Sequence, residues 1–181
     1  MDWNVVVTVY ERQGLRRVHR FLSRYGEVFR TEFHNVLVLR VLDVDAFLET
    51  MAAALDEDAK IFNDISRLMP ARVTFSYASV AEFEEKAGSI AIKWADQLGG
   101  KSFHVRLHRR TGDQSTKLHS HTEEVFLDDV ILRHLSEAER AGRIAFDDPD
   151  YVIDVETVGS QAGMALWSRD DLTRLPFLQV D

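Results

Sequence analysis

The segment Lys101-Ser-Phe-His-Val-Arg-Leu-His-Arg-Arg110 concentrates cationic and imidazole side chains in a short span. Arg106, Arg109 and Arg110 carry planar guanidiniums whose donors fit phosphate oxygens as a fork. His104 and His108 share the polar side of an alternating strand with Arg106, and Lys101 and Lys117 lie at its edges. A second basic group, Arg16, Arg20 and Arg24, has the i, i+4, i+8 spacing of one helix face. Groups of this kind hold a charged backbone in place and do not read bases. The same spacings also suit ordinary solvated faces, and charge alone does not select the partner.

Other patterns invite different chemistry. His119-Ser-His121, followed by Glu123 and Glu124, has a metal-like spacing that His104 and His108 could complete. The competing reading puts the pair where a loop enters a helix, with Ser120 or Thr122 as the cap. Asp147, Asp148 and Asp150 suggest a cation or acid site, but Pro149 and the apolar run after it favour a turn into a strand. Trp94 and Trp167 fall on core stripes and read as packing. No nucleophile–base pair, glycine-rich phosphate loop or dinucleotide fingerprint is present. No catalytic residue, metal ligand or cofactor is therefore expected.

Composition sets the background. The 181 residues hold 45% hydrophobic side chains, which is enough to build a core. There is no cysteine, so disulfides and thiolate chemistry are excluded. The start, Met1-Asp2-Trp3-Asn4, lacks a basic, apolar leader pattern, and no apolar run is long enough for a membrane span. A cytoplasmic location is the expectation. Net charge is −8, which opposes phosphate binding at first sight. The charge is uneven: residues 1–110 hold 16 Lys+Arg against 15 Asp+Glu, and the remaining residues hold 6 against 15.

The elements that must position these residues follow from periodicity. β-branched residues 4–10 predict a strand, and Leu15, Val18, Phe21 and Leu22 predict a helix running to Gly26. Strands are predicted over Glu27–Phe33 and Val36–Val41, with His34-Asn35 as the turn. A helix capped by Asp43 or Asp45 runs to Leu55, and Arg72–Tyr77 is the next predicted strand. The order β-α-β-β-α-β is that of a ferredoxin-like unit. A second unit begins near Ser79, with one long helix to Leu98 stopped by Gly99-Gly100. A strand over Ser102–Leu107, a polar loop, a helix to about Arg140 and strands over Tyr151–Val158 and Met164–Trp167 complete it. The predicted class is α/β (α+β), divided as 1–78 and 79–181.

Four segments carry a resemblance. Lys101–Arg110 looks like the first strand of a THUMP domain. Asp147-Asp-Pro-Asp-Tyr-Val-Ile-Asp-Val-Glu-Thr157 resembles its proline-aspartate strand, and Gly163-Met-Ala-Leu-Trp-Ser-Arg169 the strand after it. Ile65-Ser-Arg-Leu-Met-Pro-Ala71 resembles the junction leading into THUMP from an N-terminal ferredoxin-like domain. The resemblance implies tRNA binding, with chemistry left to another domain. It implies Lys101, His104, Arg106, His108, Arg109, Arg110 and Lys117 as RNA contacts, joined by Arg16, Arg20 and Arg24. Since no catalytic domain follows, the organisation looks most like the stand-alone adaptor of tRNA cytidine acetylation. The partners implied are tRNA and a tRNA-modifying enzyme in trans, and the chain itself is expected not to be an enzyme. Two other readings stay open. One is a metalloenzyme using His104, His108, His119 and His121. The other is a ferredoxin-like scaffold that binds protein, including a homodimer across an exposed sheet edge.

Overall fold

The computed structural model describes residues 2–110 and 118–181. They divide into two compact units, Met1–Arg72 with Leu172–Gln179, and Val73–Asp171 with Val180–Asp181. The α+β class predicted from the sequence is the class observed.

The first unit contains β1 (Val5–Val9), α1 (Leu15–Leu22), β2 (Glu27–Arg30), β3 (Val36–Arg40), α2 (Val44–Glu57) and β4 (Ile65–Pro70). Its sheet has the order β2-β3-β1-β4, with all neighbours antiparallel. That is the ferredoxin-like arrangement, but its fourth strand is not the predicted one. The predicted Arg72–Tyr77 strand joins the other sheet. Its place is taken by β4, which pairs with β1 from Val5↔Pro70 to Val9↔Ile65. Leu68, Met69 and Pro70 are all buried, so β4 lacks the alternation that betrays a half-exposed strand. Its outer edge is covered as well: the Leu68 amide donates to the Phe177 carbonyl at 3.0 Å, and Arg67 Nε donates to the Gln179 carbonyl at 2.6 Å. The Asp43 carboxylate caps α2 by accepting from the Ala46 amide at 2.9 Å. Asn35, at φ 59°, makes the β2–β3 turn in the left-handed region that asparagine tolerates.

The second unit contains β5 (Val73–Ser76), α3 (Val80–Ile92), α4 (Ala95–Leu98), β6 (Ser102–Arg110), α5 (Ser120–Glu137), β7 (Arg143–Ile144), β8 (Tyr151–Val158) and β9 (Gln161–Ser168). A short helix, α6 (Arg169–Arg174), follows. The sheet order is β5-β9-β8-β6-β7, with β6 parallel to both β7 and β8. The single helix predicted to Leu98 is two, α3 and α4, interrupted at Lys93-Trp94. Ser79 caps α3 by accepting from the Glu82 amide at 3.1 Å, while the Glu82 carboxylate reaches back to the Ala78 amide at 2.8 Å. The cap position of α5 is His119, without a side-chain bond, not Ser120 or Thr122. Phe83, Ala87 and Ala91 of α3 and Leu127, Ile131 and Leu135 of α5 pack on Phe103, Val105, Leu107, Ile153 and Val155. Because alternate β6 residues point into this core, His104, Arg106, His108 and Arg110 are committed to the opposite sheet face. Among the described residues, no helix is long and apolar enough to cross a membrane.

Candidate nucleic-acid interface

In the first unit, α1 follows a 3₁₀ turn over Arg12–Gly14. Val18, Phe21 and Leu22 are buried, which turns Arg16, Arg17 and Arg20 outward, with Arg24 just past the helix end. A Cβ on Gly14 would stand 3.1 Å from the Asp64 carboxyl, so a larger residue there would press on Asp64. That approach lets Arg17 grip Asp64 through Nε and Nη2, both at 2.8 Å. The guanidinium bond holds the Asp64 carboxyl below its ordinary range. Arg24 lies over Phe21 and Tyr25, at 4.9 and 5.4 Å from the ring centres. Arg16 and Arg20 have no ionic or hydrogen-bond partner among the described residues. The helix thus has two arginines held in place and two unengaged ones on an exposed face.

The strand strip is different. His104 is only 1% exposed. Its Nδ1 donates to the Ala145 carbonyl at 2.8 Å, and burial pushes its pKa down, so the ring is neutral. A buried neutral imidazole does not contact phosphate as a cation, and the expectation for His104 is corrected. Arg106 faces Asp181 at 3.4 Å, and His108 Nε2 donates to the Val180 carbonyl at 3.3 Å. Arg110 pairs with Glu156, at side-chain exposures of 14% and 2%. Arg110 therefore neutralises a buried carboxylate and is not the open centre expected of it. Arg109 is exposed and donates to the Leu118 carbonyl at 3.0 Å. Lys101 is exposed at the far end of the strand, about 26 Å from Arg109 at about 3.3 Å per residue. Lys117 lies outside the described residues. The strip is a partly buried polar network, with Arg106 a third exposed in its middle and exposed cations at its two ends.

The four histidines weighed as metal ligands are not brought together as a set. His108 instead lies with Asp154 and Glu156, their ligand atoms within 4.8 Å of one another. Val180 and Arg110 already engage His108 and Glu156 there.

An acidic feature was missed in the sequence. β7 pairs only with Ser102 and Phe103, so the rest of that β6 edge needs other acceptors. Asp128 and Glu124 of α5 supply them, accepting from the Val105 amide at 3.0 Å and the Leu107 amide at 2.8 Å. The signal was present as carboxylates at i, i+4 beside the apolar stripe of α5. Burial raises Asp128 to about 7. Burial, and then the neighbouring Glu84, raise Glu123 from 4.5 to about 7. Below about pH 4, Glu123 is protonated in both folded and unfolded chains and costs nothing. As pH rises from 4.5 to 7, the unfolded chain loses the proton first, and folding stability falls. Glu123→Gln is expected to gain about 3 kcal/mol at pH 8 and nothing at pH 4, at about 1.36 kcal/mol for each pH unit between 4.5 and about 7. Urea denaturation at both pH values checks this, and an equal gain at both would sink it.

No family model matches the chain, and no curated relative matches it. Solved structures do share its fold. PH1313 from Pyrococcus horikoshii Ot3 superposes with a TM-score of 0.60 at 14% identity, covering 92% of this chain and 55% of that one. A 4-thiouridine synthetase, solved as an RNA complex with bound ATP, gives 0.52 at 17% identity, covering 92% and 42%. A protein described as a possible methylase from Clostridium difficile 630 gives 0.53 at 14% identity, covering 91% and 40%. At these identities the likeness is one of fold. The chain spans about half the length of these proteins or less. The expectation that the chain is not an enzyme is overturned by this comparison. The same fold occurs within a synthetase and within a chain described as a possible methylase, and the point where this sequence stops does not separate it from such enzymes.

Proposed function

We propose that this chain binds tRNA and presents it to a tRNA-modifying catalytic domain, with a cytidine acetyltransferase acting in trans as the example the motif resemblance supplies. The observation that carries the reading is the α1 face, where Arg16 and Arg20 are exposed and unengaged among the described residues and Arg24 follows at the same spacing. The fold shared with the chain in a synthetase–RNA complex supports it, as does the order of the THUMP-like segments. Arg109 and Lys101 are further contacts in this reading. His104 and Arg110 hold β6 together from within the second unit. Such a surface neutralises phosphates and selects little sequence. Bulk tRNA is expected to bind with log affinity falling linearly against log salt, with a slope near −3 for three or four phosphate contacts at about 0.9 each. Fluorescence anisotropy with labelled tRNA at several salt concentrations measures it. A slope near zero rules the reading out.

A further inference from the structure

Beside the arginine face of α1, an open cleft of about 550 Å³ lies within the first unit. Arg20, Phe21, Arg24 and Tyr25 form one wall, and Glu57 and Asp58, at the end of α2, form the other. That volume falls within the range of small-ligand sites. The two walls carry opposite charge, yet no ion pair crosses the cleft among the described residues. Arg17, on the same wall, is engaged by Asp64 instead. Arg24 is set over its two aromatic rings, and its Nε donates to the Phe21 carbonyl at 3.3 Å. Asp58 Oδ1 accepts from the Lys60 amide at 3.0 Å, which orients that carboxylate.

A ligand that satisfies both walls needs an anion at one end and hydrogen-bond donors at the other. It also needs an apolar or π surface between them, because Phe21, Tyr25 and Ile61 line the cleft. Inorganic phosphate meets only the first requirement, and a plain aromatic only the last. A ribonucleotide meets all three: its phosphate suits Arg20 and Arg24, and its base suits the aromatic wall. Its hydroxyls can donate to the carboxyl oxygens of Glu57 and Asp58.

We infer that this cleft takes one ribonucleotide with an unpaired base, either free or as a unit of bound RNA. The acids would read the ribose and the arginines the phosphate. The inference rests on the RNA-binding reading for its biological setting, but its chemistry can be tested separately.

The test is an amide-shift NMR titration of the full chain with AMP, CMP, their 2′,3′-dideoxy counterparts and inorganic phosphate. AMP or CMP is expected to bind about tenfold more tightly than either the dideoxy nucleotide or phosphate, with shifts around Phe21, Tyr25 and Asp58. The double variant Glu57→Gln, Asp58→Asn discriminates sharply, since both positions are exposed. Removing two negative charges strengthens any purely electrostatic anion binding. Under the inference, ribonucleotide binding weakens about tenfold while phosphate binding does not weaken. Equal affinity for ribo- and dideoxynucleotides overturns the inference, as does a ribonucleotide that binds the variant more tightly. If tRNA still binds with its salt slope in that case, the RNA reading stands without the cleft. If ribonucleotides bind as expected but tRNA does not, the cleft stands and the RNA reading falls.

Discussion

Arg110→Ala is expected to destabilise the second unit by about 3 kcal/mol, because it removes the guanidinium from a carboxylate that has almost no access to water. Glu156 is a central position of β8, registered against His108 of β6 and Gly163 of β9. It cannot move to solvent without breaking two strand pairings. An exposed ion pair would contribute little here, since water and salt screen it. The 14% and 2% side-chain exposures place this pair in the other regime, where loss of one partner costs more than the pair itself contributes. Arg110→Ala combined with Glu156→Gln should recover part of the loss, because the charge that needed a partner is gone. Urea unfolding at neutral pH of the parent, the single and the double variant checks both statements. A single variant within about 0.5 kcal/mol of the parent, the range of ordinary surface changes, would show that this pair is solvated. The result also governs how RNA experiments are read, since binding lost in Arg110→Ala reflects the fold before it reflects a phosphate contact.

The same residue shows what the sequence could and could not convey. Alternation along Phe103–Leu107 correctly separated the core side of β6 from the polar side. It could not say whether the polar side met water. In a central parallel strand both faces can be covered, and polar residues on the second face are then partners for each other. The complements of His104, Arg106, His108 and Arg110 sit far away in sequence, at Ala145, Asp181, Val180 and Glu156. β4 was obscured for a related reason. Burial of Leu68, Met69 and Pro70 erased its period, and Ile65–Ala71 read only as a junction between the two units. The displaced Arg72–Tyr77 prediction had the right local structure for Val73–Ser76 but the wrong sheet, since β5 pairs with β9, nearly ninety residues on. The α1 face was legible because a helix exposed on one side encodes its environment locally. Val18, Phe21 and Leu22 alternate with arginines at helical spacing, and no distant strand had to be known.

Replacing Arg16, Arg20 and Arg24 together with alanine is expected to lower tRNA affinity by roughly 400-fold near 0.1 M salt, since each released counterion is worth about 1.2 kcal/mol there. The salt slope should flatten by two to three units, at about 0.9 per lost contact. The fold should tolerate the change. Arg16 and Arg20 are exposed and have no partner to strand among the described residues. Arginines at i and i+4 repel one another by about 0.2–0.5 kcal/mol, and alanine is the better helix former. These gains offset the loss of Arg24 over Phe21 and Tyr25, a contact worth about 0.5–1 kcal/mol at an exposed site. The parent chain thus carries a run of like charge on its surface, inside a protein of net charge −8. The helix dipole favours Arg20 and Arg24 at the C-terminal end of α1, whereas Arg16, in the first turn, gains nothing from it. Thermal unfolding of the triple variant should match the parent while anisotropy shows the loss in affinity. A stable triple variant that binds tRNA with the parent's affinity and slope would remove α1 from the interface and leave Arg109 and Lys101 as the cations to test next.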